Sequence, residues 1–270
     1  MIEAFKKMWE KTWGPRMEHI LRNVFLTLLE QPKANFSDIR KLFDDPYFRD
    51  QAVRNLTNPE VRDFWLKEYA GLTPRYRAEL TSPIRNKVGA FLADPTMYRV
   101  MVEPKQSIDV RKIMDQGKIL LVNLAKGKLG SDSSSLLGAF LVSRIGMAAL
   151  SRADQPEDSR RDFYLYLDEF QNFTTLSTAN MLSELRKYRL SMILAHQYLD
   201  QVDEKVRDAI LGNVGNLISF RVGVKDARIL KMIFDHGYTE DDFPIRKSGS
   251  VGPPVPGAPG LPVPTPQNGR

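Results

Sequence analysis

The stretch Arg161-Asp-Phe-Tyr-Leu-Tyr-Leu-Asp168-Glu169-Phe170-Gln171 decides the fold. From Phe163 to Leu167 it runs apolar or aromatic without a charge, then stops at two adjacent carboxylates. An uninterrupted run of β-formers between polar flanks reads as a fully buried strand of a parallel sheet. Three further runs, 118–124 (KILLVNL), 191–195 (SMILA) and 217–222, read the same way. Helical periodicity occupies 133–150, 177–188, 203–211 and 226–234 between and after them. Strands alternating with helices indicate an α/β fold with a doubly wound parallel sheet. The charged segment 154–162 (DQPEDSRRD) is a surface loop leading into the central strand.

Upstream the pattern is helical. Residues 17–30 place Ile20, Leu21, Val24, Phe25, Leu28 and Leu29 on one face, with Pro15 where a proline suits a helix start. Ser37 and Asn58-Pro59 act as start signals, and Pro46, Thr73-Pro74, Ser82-Pro83 and Asp94-Pro95 as punctuation. Residues 1–104 therefore read as an all-α subdomain and 105–247 as the α/β core. Beyond Lys247 the composition shifts to Gly, Pro, Ser and Val. Such a tail, 248–270, buries too little surface to offset its ordering entropy and is expected to be disordered.

The formal charge of +6 leans toward an anionic partner such as nucleic acid. The absence of cysteine excludes disulfides and thiolate metal sites, and His19, His196 and His236 are too scattered to suggest a metal cluster. The start, Met1 to Lys7, lacks the apolar core of a signal peptide. The longest apolar segment, 136–150, is interrupted by Ser143 and Arg144 and reads as too short to span a bilayer. A soluble, cytoplasmic chain is the expectation.

In open α/β sheets the ligand sits at the carboxyl ends of the strands, where Asp168 and Glu169 fall. An acid pair there suits nucleotide hydrolysis. The first acid holds Mg²⁺ or its water, and the second orients and polarises the attacking water, the Walker B arrangement. The alternative is an acidic turn after a core strand. The next strand ends at His196-Gln197. A glutamine there can hydrogen-bond both a γ-phosphate and the attacking water, or merely cap a loop. His196 reads as a packing or surface residue. Between the strands, Arg186, Lys187 and Arg189 end a helix, where cations favour the helix dipole. They also suit an arginine finger, with Arg186 the first choice and Arg189 the second. The phosphate-cradling G-x-x-x-x-G-K-[ST] does not occur; 126–131 (KGKLGS) and Gly117-Lys118 lack its spacing. No first strand precedes the helical region either. The two gaps suggest the later part of a longer ATPase, beginning after its phosphate loop. A small-molecule enzyme on this sheet would need a Gly-rich dinucleotide turn or a nucleophile–base pair, and neither is evident.

The blocks KILLVNLAKGKLG, FYLYLDEFQNF, LSELRKYRLSMILAHQYLDQ and LGNVGNLISFRVG together resemble the TraG/TraD-type coupling proteins of conjugation and type IV secretion, and their HerA/FtsK-like relatives. The resemblance spans about Trp13 to Phe234, the helices to Pro95 being similar to the family's insertion between its two Walker motifs. It implies a RecA-like parallel sheet in a homo-hexameric motor that hydrolyses ATP with Mg²⁺ and pumps DNA through its channel. Asp168 and Glu169 match the Walker B acids, Gln197 the sensor glutamine and Arg186 the finger. Asp168 would then bind Mg²⁺ and, with Gln197, ATP. The Walker A motif and the membrane anchor that many members carry are absent from this sequence. Attachment to the inner face of the membrane would run only through a region outside it. DNA phosphates would meet Lys126 and Lys128, with Arg75, Arg77, Arg85 and Lys87 as a second basic group. The expected function is ATP-dependent DNA translocation within conjugation or type IV secretion machinery. The alternative is a catalytically silent scaffold that assembles with DNA or ATPase subunits.

Overall fold

Most of the N-terminal helices begin the same way. Asp45, Asn58, Thr73 and Asp94 each precede a proline, and each side chain accepts a backbone N–H of the first turn. The cap satisfies an orphan donor, and the proline sits where its missing N–H costs nothing. In the computed structural model, which describes residues 2–104 and 108–234, these signals lie within a run of seven helices. They are α1 (Ile2–Met8), α2 (Pro15–Leu29), α3 (Asp38–Asp44), α4 (Pro46–Arg54), α5 (Pro59–Asp63), α6 (Pro74–Ala93) and α7 (Pro95–Met101). A π-helical stretch, Phe64–Tyr69, continues α5. The expected face of α2 is buried except for Leu29, which is exposed. Ser82-Pro83 does not punctuate: α6 runs through Pro83. An interior proline costs a helix about 3 kcal/mol, and fully buried Ile84 and Val88 hold the helix against the core.

Next come α8 (Val110–Asp115), the short α9 (Lys126–Leu129) and α10 (Ser131–Leu150). The last is apolar on nearly all sides because it serves two cores. Its first half gives Leu136 and Ala139 to the N-terminal core, where Phe5 packs edge-on to Phe140 at 5.6 Å. Its second half gives Ile145 and Ala149 to a core with Val110, Met114, Leu185 and Leu190. By length and composition, Ser131–Asp154 could cross a membrane, unlike the shorter 136–150 read from sequence. Half of it is buried inside the protein, as in a core helix.

Then follow β1 (Phe163–Leu167), α11 (Leu176–Leu185), β2 (Leu190–Leu194) and α12 (Glu204–Leu211). The strands pair in parallel, Phe163 opposite Leu190 through Leu167 opposite Leu194. The expected four-stranded RecA-like sheet is not formed: among the described residues the sheet has two strands. Segments 118–124 and 217–222 lie outside any ladder, and Ile119, Leu121 and Ile218 are 87%, 89% and 80% exposed. A strand needs a neighbouring strand for its N–H and C=O groups, and among the described residues neither segment joins a ladder. Full burial of β1 is also not observed. Phe163, Leu165 and Leu167 pack on helices, while Tyr164 and Tyr166 face solvent.

Arg152 joins the amino ends of both strands. Its side chain is fully buried, pairs with Asp115 at 3.0 Å, and donates to the carbonyls of Arg161 (2.8 Å) and Tyr188 (3.0 Å). Burial opposes the charge on Asp115, but Arg111 and Arg152 outweigh it and hold that carboxyl below its ordinary range. Gly117 ends the turn after α8 with φ +64°, and a Cβ there would lie 2.6 Å from the Arg161 guanidinium carbon.

Met1–Ser219 form one compact unit, in which the helical region and the α/β part share α10. A second unit begins at Phe220 and is represented among the described residues by α13 (Val224–Phe234) and its approach. The tail 248–270 and His236 lie outside the described residues.

Candidate functional site

The ladder continues past the ends of the strands. Ala195 N–H donates to the Leu167 carbonyl at 2.9 Å, and Phe170 N–H to the Ala195 carbonyl at 3.1 Å. This clamps the residues after β1 to those after β2. Between the two contacts Asp168 and Glu169 turn the chain into a 3₁₀ turn, Phe170–Asn172. Glu169 makes that turn in the left-handed region, with φ 51° and ψ 44°. For a residue with a Cβ this costs about 1 kcal/mol or more. The Glu169 N–H donates to Asp168 Oδ1 at 3.0 Å. Phe170 is buried, and His196 meets its ring edge-on at 5.0 Å, so His196 has a packing role.

The fold brings Glu169 and Gln197 into direct contact. Gln197 Nε2 donates to Glu169 Oε1 at 2.6 Å. Gln171 Nε2 donates to the other oxygen, Oε2, also at 2.6 Å, and to Gln201 Oε1 at 3.0 Å. Asn172 Nδ2 donates to the Glu169 carbonyl at 3.0 Å, and Lys126 Nζ to Asn172 Oδ1 at 2.9 Å. Asp168 is exposed beside this cluster. From α1, Lys7 Nζ reaches the carbonyls of Gln171 and Thr174. The residue as a whole is exposed, but burial around its ammonium pushes its pKa from 10.5 down to about 8, with Asp203 opposing the shift. Gln171, Asn172, Gln201 and Lys7 were not among the residues singled out in the sequence. The amides directly after the acid pair were the available signal; Lys7 carried none.

A cavity of about 1220 Å³ runs from these groups along the free edge of β1. Segment 118–122 and α10 form its far wall, and Lys126, Asn172, Gln197 and Gln201 line its polar end. Phe173 anchors the acid loop to α10 at Gly138, where a Cβ would fall 2.1 Å from Phe173 Cδ1.

The other sequence candidates lie elsewhere. Arg186 is exposed in the 3₁₀ turn Arg186–Tyr188, before the amino end of β2, whereas the acids lie at the carboxyl end of β1. At roughly 3.3 Å per residue, the strand separates them by more than about 15 Å. Within one copy, Arg186 is not brought to the acids. Arg189, also left-handed, lies 3.6 Å from Asp162. Lys128 is exposed on α9. Of the helical cations, Arg85 pairs with Asp44 at 2.7 Å. Arg77 lies 4.7 Å over Tyr69 and Lys87 4.9 Å over Trp9, so these three take part in holding the fold.

Among the described residues no three acidic or histidine side chains gather as a metal cage. One exposed carboxylate such as Asp168 does fit Mg²⁺, which keeps most of its waters and takes the rest of its ligands from phosphate. A triphosphate fits less well, because no residue run here supplies the Gly-rich cradle with its lysine. Neither a curated protein nor a solved structure matches the chain. Residues 162–235 match the family model described as the TraM recognition site of TraD and TraG, and this segment, from the approach to β1 through α13, is therefore similar to those conjugation proteins.

Proposed function

We propose that the chain is the acid-bearing part of a nucleotide-driven coupling protein of conjugation, and that residues 162–235 also engage a TraM-type partner. One observation carries the reading. Glu169 has both carboxylate oxygens fixed by glutamine amides, at the carboxyl end of β1 and beside exposed Asp168, inside the segment that matches the family model. A carboxylate held this way points its remaining lone pairs at a defined place, as orienting a water requires. Asp168 is free to hold Mg²⁺, which would neutralise charge on a bound triphosphate. Gln197, held on Glu169 through one amide N–H, would have its second N–H to offer a terminal phosphate. The phosphate cradle would come from residues other than these. Arg186, exposed at the opposite end of the sheet, is suited to serve a neighbouring copy in a ring. Lys126 is engaged by Asn172, which leaves Lys128 on the same short helix as the better candidate for DNA phosphates.

The test is Glu169→Gln in the assembled protein. It should retain ATP binding and lose turnover, whereas normal turnover would remove Glu169 from the role of water-orienting acid. Binding of a TraM-type protein, measured in parallel, should be unaffected by that substitution. If binding persists and wild-type protein hydrolyses no nucleotide, the chain acts as a recognition scaffold instead.

A further inference from the structure

Gln171 already holds one oxygen of Glu169, whereas Gln201 has no part in the chemistry assigned so far; together they complete an unbroken polar chain. It runs from Gln201 through Gln171 to Glu169 and on to Gln197, with links of 3.0, 2.6 and 2.6 Å. Gln171 spends its amide nitrogen on two acceptors, while its Oε1 is buried with no hydrogen-bond partner. An amide oriented at that cost is held for its donor end. Gln201 ends the 3₁₀ turn Leu199–Gln201 just before α12, so the chain links the acid loop to the start of that helix. The direction of each bond is fixed by chemistry. A carboxylate only accepts, so both glutamines on Glu169 present nitrogen to it, and Gln201 must present oxygen to Gln171.

We infer that Gln171 is a positioning residue for Glu169, and that Gln201 acts on the same carboxylate only through Gln171. The inference rests on the reading of Glu169 as the water-orienting acid. Glu169 stands in the left-handed region, and its backbone conformation alone does not favour one carboxylate orientation. Two amides, one on each carboxylate oxygen, do. Gln171, only two residues along the chain, sets Oε2, the oxygen linked through Gln201 to the start of α12.

The assay is ATP turnover by the assembled protein, with kcat and KM measured separately. Gln171→Met keeps the length and apolar volume of the side chain and removes the donor. It should lower kcat on the order of tenfold or more, as expected for a misoriented catalytic group, and leave KM nearly unchanged. Gln201→Met should lower kcat by a smaller factor. Gln201→Glu retains an acceptor oxygen toward Gln171 and should restore most of the rate. The double variant Gln171→Met/Gln201→Met should be no slower than Gln171→Met, because Gln201 has nothing left to act on. Multiplying single effects, or a Gln201→Glu variant as slow as Gln201→Met, would overturn the relay. If wild-type protein shows no turnover, or Glu169→Gln leaves turnover intact, the hydrolysis reading falls separately. Amide hydrogen exchange then decides the relay: Gln171→Met should raise exchange at 169–172 without changing it in β1 and β2, and unchanged exchange at 169–172 refutes it.

Discussion

Gly138→Ala is the perturbation whose outcome depends most directly on the way the acid loop is anchored. In the middle of a helix, alanine is better than glycine by about 1 kcal/mol. With nothing nearby, the substitution would stabilise α10. Here the new Cβ would stand 2.1, 2.6 and 2.8 Å from three atoms of the Phe173 ring, against ordinary contact at 3.4–4 Å. The ring must retreat by more than an ångström. Overpacking of this kind costs about 1–3 kcal/mol. Set against the propensity gain, the net change is a loss of roughly 0–2 kcal/mol. The retreat also falls on a particular segment. Phe173 follows Asn172, which donates to the Glu169 carbonyl and accepts from Lys126. Denaturant unfolding measures the global term, and amide exchange across 168–175 reads the loop. Exchange there should rise about tenfold for each 1.4 kcal/mol of lost local protection. Removing the ring as well, in Gly138→Ala/Phe173→Ala, should recover the helix-propensity gain while leaving the loop loose. A Gly138→Ala protein more stable by about 1 kcal/mol, with loop exchange unchanged, would refute the reasoning.

Two other perturbations test separate parts of the molecule. Arg152→Leu strips the buried partner from Asp115 and leaves the carbonyls of Arg161 and Tyr188 unsatisfied, and should cost about 3–5 kcal/mol in chemical denaturation; Arg152→Lys should not rescue it, since one ammonium cannot reproduce the planar fork, and a loss below about 1 kcal/mol would reduce the pair to a surface contact. Lys7 has a folded pKa of about 8, below its ordinary 10.5, so between those values the folded chain binds fewer protons than the unfolded one and stability should rise with pH. The exposure of Lys7 makes this rise smaller than the full shift implies. Urea midpoints at pH 7.5 and 10 should show it in wild type and not in Lys7→Met, and an equal rise in both would assign it to another group.

What could be read from sequence was what depends on neighbours in the chain. β1 coincides with, and β2 lies within one residue of, a short run of β-formers that stops at polar residues; the helix start at Asn58-Pro59 stands where it is read, while Pro46, Thr73-Pro74 and Asp94-Pro95, which read as punctuation, are helix starts as well. The positions of the acid pair at the end of β1 and of the glutamine after β2 were legible for the same reason. What failed was long-range. Segments 118–124 and 217–222 have strand composition, but a strand exists only where another strand accepts its hydrogen bonds, and composition does not say whether one is available. Pro83 looked like a break because its cost is local, whereas the burial of Ile84 and Val88 that outweighs it comes from distant helices. The site divides along the same line. Gln171 stands beside the acids, but its second acceptor, Gln201, is 30 residues away, and Lys7 reaches the loop from 164 residues upstream. No spacing in the sequence announces such contacts.

The left-handed backbone of Glu169 has a consequence for anyone who engineers this protein. A glycine relaxes at that φ and ψ, and an asparagine nearly so, which makes Glu169→Gly a substitution that a screen for thermal resistance would select. Such a screen would discard the carboxylate that the surrounding glutamines converge on. At this one position, improvement of the scaffold and preservation of the site point in opposite directions, and a library ranked on melting temperature alone would drift toward robust, inert proteins.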